Sequence, residues 1–437
     1  MANRRVRVMW SDLNGLSHGR YIPERRVHDH GHHAVTTLTM TTDGDILPVE
    51  GYAADVGYPD LSTVALPASR RPGWEADTDV MIADLEFGGG PLALSPRNAL
   101  KRAVEAWRAL GYEPMLGYEL EFYVMQADET APGGAAPLRL PSHRVYGVGH
   151  GGVDTDLTFD LFDTAEDCEL DVEGVMAEFS PGQMEMNLRY GLALDAADRA
   201  FVAREMTREV AARHGYHATY MGRPIAEAVG SGLHVNFSLI PVGGGRNVFD
   251  DPSDPDGMSS LMRQCLGGLI AHYEGLAAMS APLVNSYKRL IPGIIAGYWA
   301  NWGLDNRIST FRVPGERGEA TRIENRMPCG SASPYLAAAV MLNAALLGAV
   351  DGLDCGDPQS GNGDEEPNTD RHTPESLAEA LDAFEADTVL CEAMGPDLVR
   401  CFLAIRRDEV ARWEATGNEW SVEAVTDYEL SRYLPYY

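Results

Sequence analysis

The stretch Gly117–Tyr123 reads Gly-Tyr-Glu-Leu-Glu-Phe-Tyr, and its polar and apolar residues alternate with the period of two that is typical of a β-strand. Glu119 and Glu121 therefore project from one face, and Leu120 and Phe122 project from the other. Two neighbouring carboxylates on an inward face repel each other unless a positive charge lies between them, and a divalent cation with oxygen ligands supplies such a charge. An exposed acidic face of an edge strand explains this stretch equally well, so the rest of the chain must decide.

The composition predicts a large, acidic, soluble protein. The chain has 437 residues, 45% of them hydrophobic, which is enough for a large core and more than one domain. Its 65 acidic and 35 basic residues give a net charge of -30, which argues against nucleic acid or an anionic membrane as partner, because both attract positive charge. The 6 scattered cysteines lack a Cys-x-x-Cys pair, so we expect reduced thiols in a cytoplasmic protein. We expect neither a signal peptide nor a membrane span, since the longest apolar helix, Tyr335–Val350, is too short.

The distribution of turn residues predicts two domains. Residues 1–96 should form a small, mostly β domain, with strand-like stretches at Val6–Trp10, Val35–Thr41, Ser62–Leu66 and Val80–Leu85. The stretch His28–His33 fits a solvated loop better than a metal site, because no strand or helix spacing accompanies it. Residues 97–437 alternate strands and helices, and the predicted helices are Arg97–Leu110, Asp195–His214, Met258–Met279, Tyr335–Val350, Pro374–Asp387 and Pro396–Glu414.

Three further stretches repeat the arrangement of polar side chains on one face of a strand. They bring together Gln183, Glu185 and Asn187, then His234, Asn236 and Ser238, and finally Arg322, Glu324 and Arg326. With Glu119, Glu121 and Glu178, these strands supply five carboxylates and an imidazole, enough to coordinate two divalent cations such as Mg²⁺ or Mn²⁺. Charged strands also line wet barrels or form ion pairs, but the convergence of four strands on one chemistry favours a metal site.

An unusual number of arginines accompanies these strands in a chain that is otherwise acidic. Their planar guanidinium groups bind carboxylates or phosphates, and the members of this set are Arg289, Arg307, Arg312, Arg322 and Arg326. Metal ions beside an arginine cluster are what phosphoryl transfer requires, because that reaction depends mainly on positioning and on neutralising charge.

Five motifs in this chain resemble those of the glutamine synthetase family. They are Glu119-Leu-Glu121, Glu178-Phe-Ser-Pro-Gly-Gln183-Met-Glu185, Gly230-Ser-Gly-Leu-His234, Asn285-Ser-Tyr-Lys-Arg289 and Arg322-Ile-Glu324-Asn-Arg326. The resemblance implies an α+β fold with a β-grasp N-terminal domain (residues 1–96) and a catalytic domain with a curved antiparallel sheet (residues 97–437). It also implies a homododecamer of two stacked hexameric rings with active sites between neighbouring subunits.

The same resemblance implies a role for each motif residue, with ATP and two to three Mg²⁺ or Mn²⁺ ions per active site. One ion would be held by Glu121, Glu178 and Glu185, and a second by Glu119, His234 and Glu324. L-glutamate would lie near Glu121 and would be bound by Arg289 and Arg326, with Gly230 nearby. The nucleotide would contact Glu173, Tyr190, Ser238, Arg312 and Arg322. The catalytic arginines would be Arg307 and Arg312, facing the phosphates, together with Arg289 and Arg326.

One departure from the family pattern bears on the second substrate. Glutamine synthetases have Pro-Gly-Tyr-Glu-Ala where this chain has Pro292-Gly293-Ile294-Ile295-Ala296. An isoleucine can neither balance the charge of ammonium nor accept its proton, but it packs against an alkyl or aryl group. The following residues, 297–307, resemble the branch of the family that makes γ-glutamyl amides from organic amines, so Ile295 and Tyr298 are expected to contact substrate.

We therefore expect an ATP-dependent γ-glutamyl-amine ligase that joins L-glutamate to a small amine through a γ-glutamyl phosphate. The first alternative is an ordinary glutamine synthetase that uses ammonia, and the second is a catalytically silent structural homologue. Ethanolamine, a polyamine, an alkylamine and an arylamine all stay open as the amine.

Overall fold

A computed structural model describes residues 4–140 and 142–437 of the protein, and its first feature along the chain is an N-terminal sheet. Its strands are β1 (Arg5–Ser11), β2 (Ser17–Pro23), β3 (Gly31–Ala34), β4 (Asp60–Ala65), β5 (Arg71–Pro72), β6 (Thr78–Phe87) and β7 (Gly90–Pro91). β1 pairs antiparallel with β2 and parallel with β6, and β4 then joins β6 to β3. The sheet confirms three of the predicted strands, which correspond to β1, β4 and β6.

Two predictions for this part of the chain are wrong in detail. The predicted strand Val35–Thr41 is instead a single 3₁₀ turn over Val35–Leu38, because Val35 and Leu38, three residues apart, are both completely buried on one side of it. The predicted loop at 28–33 ends early, since residues 31–34 are strand β3 and pair with β4. His33 consequently packs on Trp10, with ring centroids 4.4 Å apart.

The larger sheet carries the four strands that the sequence singled out. Its members are β8 (Tyr112–Ala127), β9 (Ala135–Pro137), β10 (Val172–Ala177), β11 (Gln183–Leu192), β12 (His217–Thr219), β13 (Leu233–Pro241), β14 (Trp302–Leu304), β15 (Phe311–Val313) and β16 (Ile323–Asn325). Its main strand order is β10-β11-β8-β13-β16-β15-β14, so β8 lies between β11 and β13. Both of these neighbours are antiparallel to β8, as expected for the curved sheet.

Helices occupy all the predicted positions, but one predicted helix is divided in two, and the helices at 155–167, 388–394 and 427–433 were not predicted. In chain order the helices are α1 (Pro96–Ala109), α2 (Thr155–Asp167), α3 (Ala193–Arg213), α4 (Ser260–Ala271), α5 (Tyr273–Ser280), α6 (Pro334–Asp351), α7 (Leu377–Ala386), α8 (Thr388–Met394), α9 (Pro396–Ala415) and α10 (Asp427–Tyr433). The single helix predicted over Met258–Met279 is divided at His272, whose Nδ1 lies 2.6 Å from Asp387 Oδ2. Asp387 also caps α8, a helix that the sequence did not predict.

Helix α6 lies in the core of the larger domain. By length and composition α6 would be able to cross a membrane, but 72% of its apolar window is buried inside the protein. Trp107 of α1 donates a hydrogen bond from Nε1 to the Leu342 carbonyl at 3.0 Å, which fixes α1 against α6. Its apolar character thus reflects packing in the protein core.

The N-terminal sheet and the larger domain share one continuous apolar core. Trp10 and Val80 of the first sheet belong to the same buried cluster as Leu100 of α1 and Leu116 of β8. Polar contacts reinforce the junction, because Arg7 of β1 donates to Glu209 of α3 at 2.7 Å. The N-terminal part is therefore firmly packed against the part that carries the candidate site.

Candidate active site

Strand register brings the predicted acidic residues together at the centre of the larger sheet. Glu121 on β8 lies opposite Glu185 on β11, and Glu119 on β8 lies opposite His234 on β13. His234 Nδ1 is 2.9 Å from Glu119 Oε2, and its Nε2 is 3.5 Å from Glu121 Oε1. Two overlapping groups have ligand atoms within 4.8 Å of one another, namely Glu121 with Glu178 and Glu185, and Glu119 with Glu185 and His234.

The electrostatics of these groups fit divalent cations. Burial, helped by repulsion from Glu121, raises the pKa of Glu178 to about 6. Burial together with the carboxylates of Glu121, Glu119 and Glu178 raises the pKa of Glu185 to about 9. Burial would also raise the pKa of Glu119, but hydrogen bonds from His234 and Asn236 prevail and lower it to about 2. The raised pKa values of Glu178 and Glu185 mean that these carboxylates are ionised together only when a positive charge lies among them. Their oxygen atoms, with one imidazole, are ligands that suit Mg²⁺ or Mn²⁺.

Glu324 has a different environment from the one expected of it. Arg312 Nη1 donates to Glu324 Oε2 at 2.7 Å, and Arg326 Nη1 donates to Glu324 Oε1. His234 Nδ1 is 3.9 Å from Glu324 Oε1, so Glu324 lies at the edge of the second group, and Glu185 completes that group in its place. A metal-binding role for Glu324 stays a prediction, and its present partners are two arginines.

The acidic groups lie at the base of a cavity of about 500 Å³, which the arginines also line. The guanidinium of Arg289 is almost completely buried and donates to the carbonyls of Arg326 at 3.1 Å and Met327 at 3.0 Å. Gly230 must be a glycine, because a Cβ there would lie 2.5 Å from the Gly222 carbonyl oxygen and 2.7 Å from Arg289 Cγ. The other arginines at this cavity are Arg307, Arg312, Arg322 and Arg326.

A buried ion pair fixes the backbone beside Arg289. Lys288 Nζ lies 2.6 Å from Glu429 Oε2 on α10, with side-chain exposures of 1% and 0%. Lys288 Nζ also donates to the Ala424 carbonyl at 2.6 Å and lies 5.5 and 5.1 Å from the ring centroids of Trp413 and Trp420. The ammonium group therefore has a complete set of partners away from water.

Ile295 lines the cavity, whereas Tyr298 does not. The side chain of Ile295 is 48% exposed, its φ is 44°, and its carbonyl accepts a hydrogen bond from Arg326 Nη2 at 3.2 Å. A left-handed conformation is rare for a β-branched residue, so this backbone is strained where it meets the cavity. The ring of Tyr298 stacks on His372 instead, with centroids 5.0 Å apart. The predicted substrate contact of Tyr298 therefore has no support in the geometry.

A second cavity of about 370 Å³ adjoins the first. Four residues predicted for the nucleotide line it, and they are Glu173, Tyr190, Ser238 and Arg322. Arg312, predicted for the same role, lines the first cavity. Glu119, Asn187 and Arg322 line both cavities, so they form a shared wall between them. Asn236 stabilises this wall, because it donates to Glu119 and accepts from Arg322 Nε, each at 3.0 Å.

Two aromatic residues at the first cavity were not predicted from the sequence. Tyr146 and Phe179 line it with side chains that are 55% and 54% exposed. Burial raises the pKa of the Tyr146 phenol, and the nearby Glu178 carboxylate adds to that effect. Phe179 offered a signal, since it directly follows a predicted metal ligand and precedes a turn. Tyr146 offered none, because it lies in a loop without periodicity.

Carboxylate groups beside arginines, next to two adjoining cavities, are an arrangement suited to phosphoryl transfer. Residues 93–425 match the family described as glutamine synthetase, catalytic domain. This chain belongs to the glutamine synthetase family and is an ATP-dependent ligase of that type. The predictions of the family, the α+β fold and an enzyme are thus confirmed.

Individual relatives include more than one activity. A glutamine synthetase of Thermotoga maritima is 34% identical over 355 residues, 79% of this chain and 77% of the relative. A glutamate–isopropylamine ligase of a Pseudomonas species is 33% identical over 388 residues, 87% of this chain and 82% of the relative. The structure of GmaS in complex with ADP is similar with a TM-score of 0.82 and 28% identity, covering 98% of this chain and 95% of that chain. Enzymes of this family use ATP, divalent metal ions and glutamate, with either an amine or ammonia.

Proposed function

We propose that this protein is an ATP-dependent γ-glutamyl-amine ligase, which forms a γ-glutamyl amide from L-glutamate and an organic amine. The observation that carries the proposal is the half-exposed side chain of Ile295 on the wall of the larger cavity. A hydrocarbon at this position offers neither charge balance for ammonium nor a proton acceptor, but it gains from contact with the substituent of an amine.

We assign the smaller cavity to ATP. Tyr190 presents a half-exposed ring to this cavity, and aromatic rings stack on nucleobases. The similarity to a structure solved with ADP supports the same assignment. We further propose that two to three Mg²⁺ or Mn²⁺ ions are held by Glu121, Glu178 and Glu185 and by Glu119 and His234. When bound, these ions would neutralise the charge of the phosphates.

The protein's own residues would bind and orient the reactants. Arg289 and Arg326 would hold the carboxylates of glutamate near Glu121, and Arg307 and Arg312 would face the phosphate oxygens. A γ-carboxylate oxygen then attacks the terminal phosphorus of ATP, and ADP leaves. The amine nitrogen next attacks the γ-carbon of the resulting acyl phosphate, phosphate departs with the bonding electrons, and the nitrogen releases one proton. Phosphorylation comes first because a free carboxylate is a poor electrophile.

An ordinary glutamine synthetase is the second candidate, and the 34% identity to such an enzyme favours it. The two functions are distinguished by measuring phosphate release in mixtures of ATP, Mg²⁺ and glutamate. Either ammonia or an organic amine is added to each mixture. We expect at least one amine to give a kcat/KM more than tenfold above that of ammonia. If ammonia exceeds every amine, the protein is a glutamine synthetase. If ATP turnover is absent with all of them, the amine-ligase proposal is wrong.

The role of Ile295 has its own test. The substitution Ile295→Glu places a carboxylate at this position. It should raise kcat/KM for ammonia, relative to kcat/KM for the amine, by at least tenfold. Val389→Glu is the matched control, because Val389 is also β-branched and is 53% exposed, on helix α8. An unchanged ratio in Ile295→Glu would remove the main support for the amine-ligase proposal.

The assembly, the location and the domain division are also proposals. We propose a cytoplasmic homododecamer of two stacked hexameric rings, with active sites between subunits, and domains at residues 1–96 and 97–437. Light scattering on the purified protein distinguishes a mass of twelve chains, each of 47.5 kDa, from smaller assemblies.

A further inference from the structure

An apolar wall lines part of a cavity whose centre is highly charged. We define the apolar wall as Tyr146, Phe179 and Ile295, whose side chains are 55%, 54% and 48% exposed and all line the larger cavity. Phe179 directly follows Glu178, and Ile295 is held by Arg326 through its carbonyl. The three side chains therefore line the same cavity as the acidic groups and as Arg326, the arginine that we assign to glutamate. Half-exposed apolar side chains at such a place gain free energy when a hydrocarbon covers them.

The charges around this wall disfavour a second ammonium group on the amine. Among the described residues that line the cavity, the acidic ones are the central carboxylates and Glu316, and Glu316 pairs with Arg322 at 3.4 Å. Asp364 lies beside the same segment as Ile295, but its carboxylate already accepts from the backbone N–H of Gly293 at 3.0 Å and from Trp299 Nε1 at 3.2 Å. A distal ammonium placed on the wall would lose hydration, and neither Glu316 nor Asp364 of this chain offers it an unpaired carboxylate.

We propose that the amine substrate carries an uncharged, apolar alkyl or aryl substituent, which packs on the wall of Tyr146, Phe179 and Ile295. This inference rests on the proposed function, and it ranks diamines and hydroxylated amines below alkyl and aryl amines as substrates. One methylene group in an apolar pocket changes kcat/KM by about 10- to 200-fold, so the preference should be large enough to measure.

The test compares propylamine, aniline, ethanolamine and putrescine with ammonia, using the assembled enzyme with ATP, Mg²⁺ and glutamate. Propylamine and ethanolamine have equal numbers of heavy atoms, so their difference isolates the polarity of the substituent. We expect propylamine or aniline to exceed both ethanolamine and putrescine in kcat/KM by at least tenfold. If ethanolamine or putrescine is the better substrate, this inference is wrong while the amine-ligase function stands. If ammonia is best, the proposed function itself is wrong.

A variant of the wall separates direct contact from a general effect. Phe179→Ala should lower kcat/KM for the preferred amine at least fivefold more than it lowers kcat/KM for ammonia. Phe159→Ala is the matched control, because Phe159 is 63% exposed on helix α2 and is not among the residues lining the cavity. An equal loss with amine and ammonia in Phe179→Ala would refute packing of the substituent on this wall.

Discussion

The substitution Glu429→Ala tests how the buried ion pair behind the site supports Arg289. Glu429 accepts hydrogen bonds from Lys288 Nζ at 2.6 Å, from Asn285 Nδ2 at 2.9 Å and from the backbone N–H of Thr426 at 2.9 Å. Its removal leaves the Lys288 ammonium buried with one carbonyl and two tryptophan rings. Breaking a buried ion pair in this way costs about 3–5 kcal/mol. We also expect KM for glutamate to rise more than kcat falls, because Arg289 follows Lys288 directly.

The free energy of unfolding is measured by urea titration with tryptophan fluorescence, since Trp413 and Trp420 contact the ammonium group. The double variant Lys288→Met, Glu429→Gln is the control, because it removes the buried charge together with its partner. It should regain most of the lost stability. A loss below about 1 kcal/mol in Glu429→Ala, or a double variant no more stable than the single one, would refute the reasoning.

Three further predictions concern the cavities. The carboxyl group of Glu185, with its pKa raised from 4.5 to about 9, keeps a proton that the unfolded chain releases, so the metal-free protein loses stability as pH rises through that window. Glu185→Gln should therefore be more stable by about 3 kcal/mol in EDTA at pH 7, and equal stability in urea titrations would contradict this. Glu324→Gln should lower kcat for phosphate release at least a hundredfold, because Arg312 and Arg326 lose the anion that positions them; near wild-type turnover would count against it. Tyr190→Ala should raise KM for ATP about tenfold and leave KM for glutamate unchanged, whereas equal changes in both would indicate a general disturbance.

The sequence predicted the parts of this fold that depend on local pattern. The alternating stretches became β8, β11 and β13, and α1 and α6 begin where Ser95-Pro96 and Ser333-Pro334 supply a capping serine and a first-turn proline. Once those strands pair in the observed register, the carboxylates and His234 meet without further information. Most of the central site was predictable for that reason.

The errors arise where contacts distant in sequence decide the local structure. The break at His272 depends on Asp387, which lies 115 residues away, so no window around the helix contains the cause. Tyr146 reaches the cavity from a loop, and the partners of Glu324 come from two different segments. Such placements follow from the assembled chain and not from periodicity.

The wall shared by Glu119, Asn187 and Arg322 has a thermodynamic consequence for how the two proposed substrates bind. A ligand that orders these side chains from one cavity changes the affinity of the other cavity, and linkage makes the effect reciprocal. The factor by which ATP changes the dissociation constant of glutamate must equal the factor by which glutamate changes that of ATP. A compound that occupies both cavities would bind more tightly than two separate ligands. Binding of one half in its cavity holds the other half at a high effective concentration beside the second cavity.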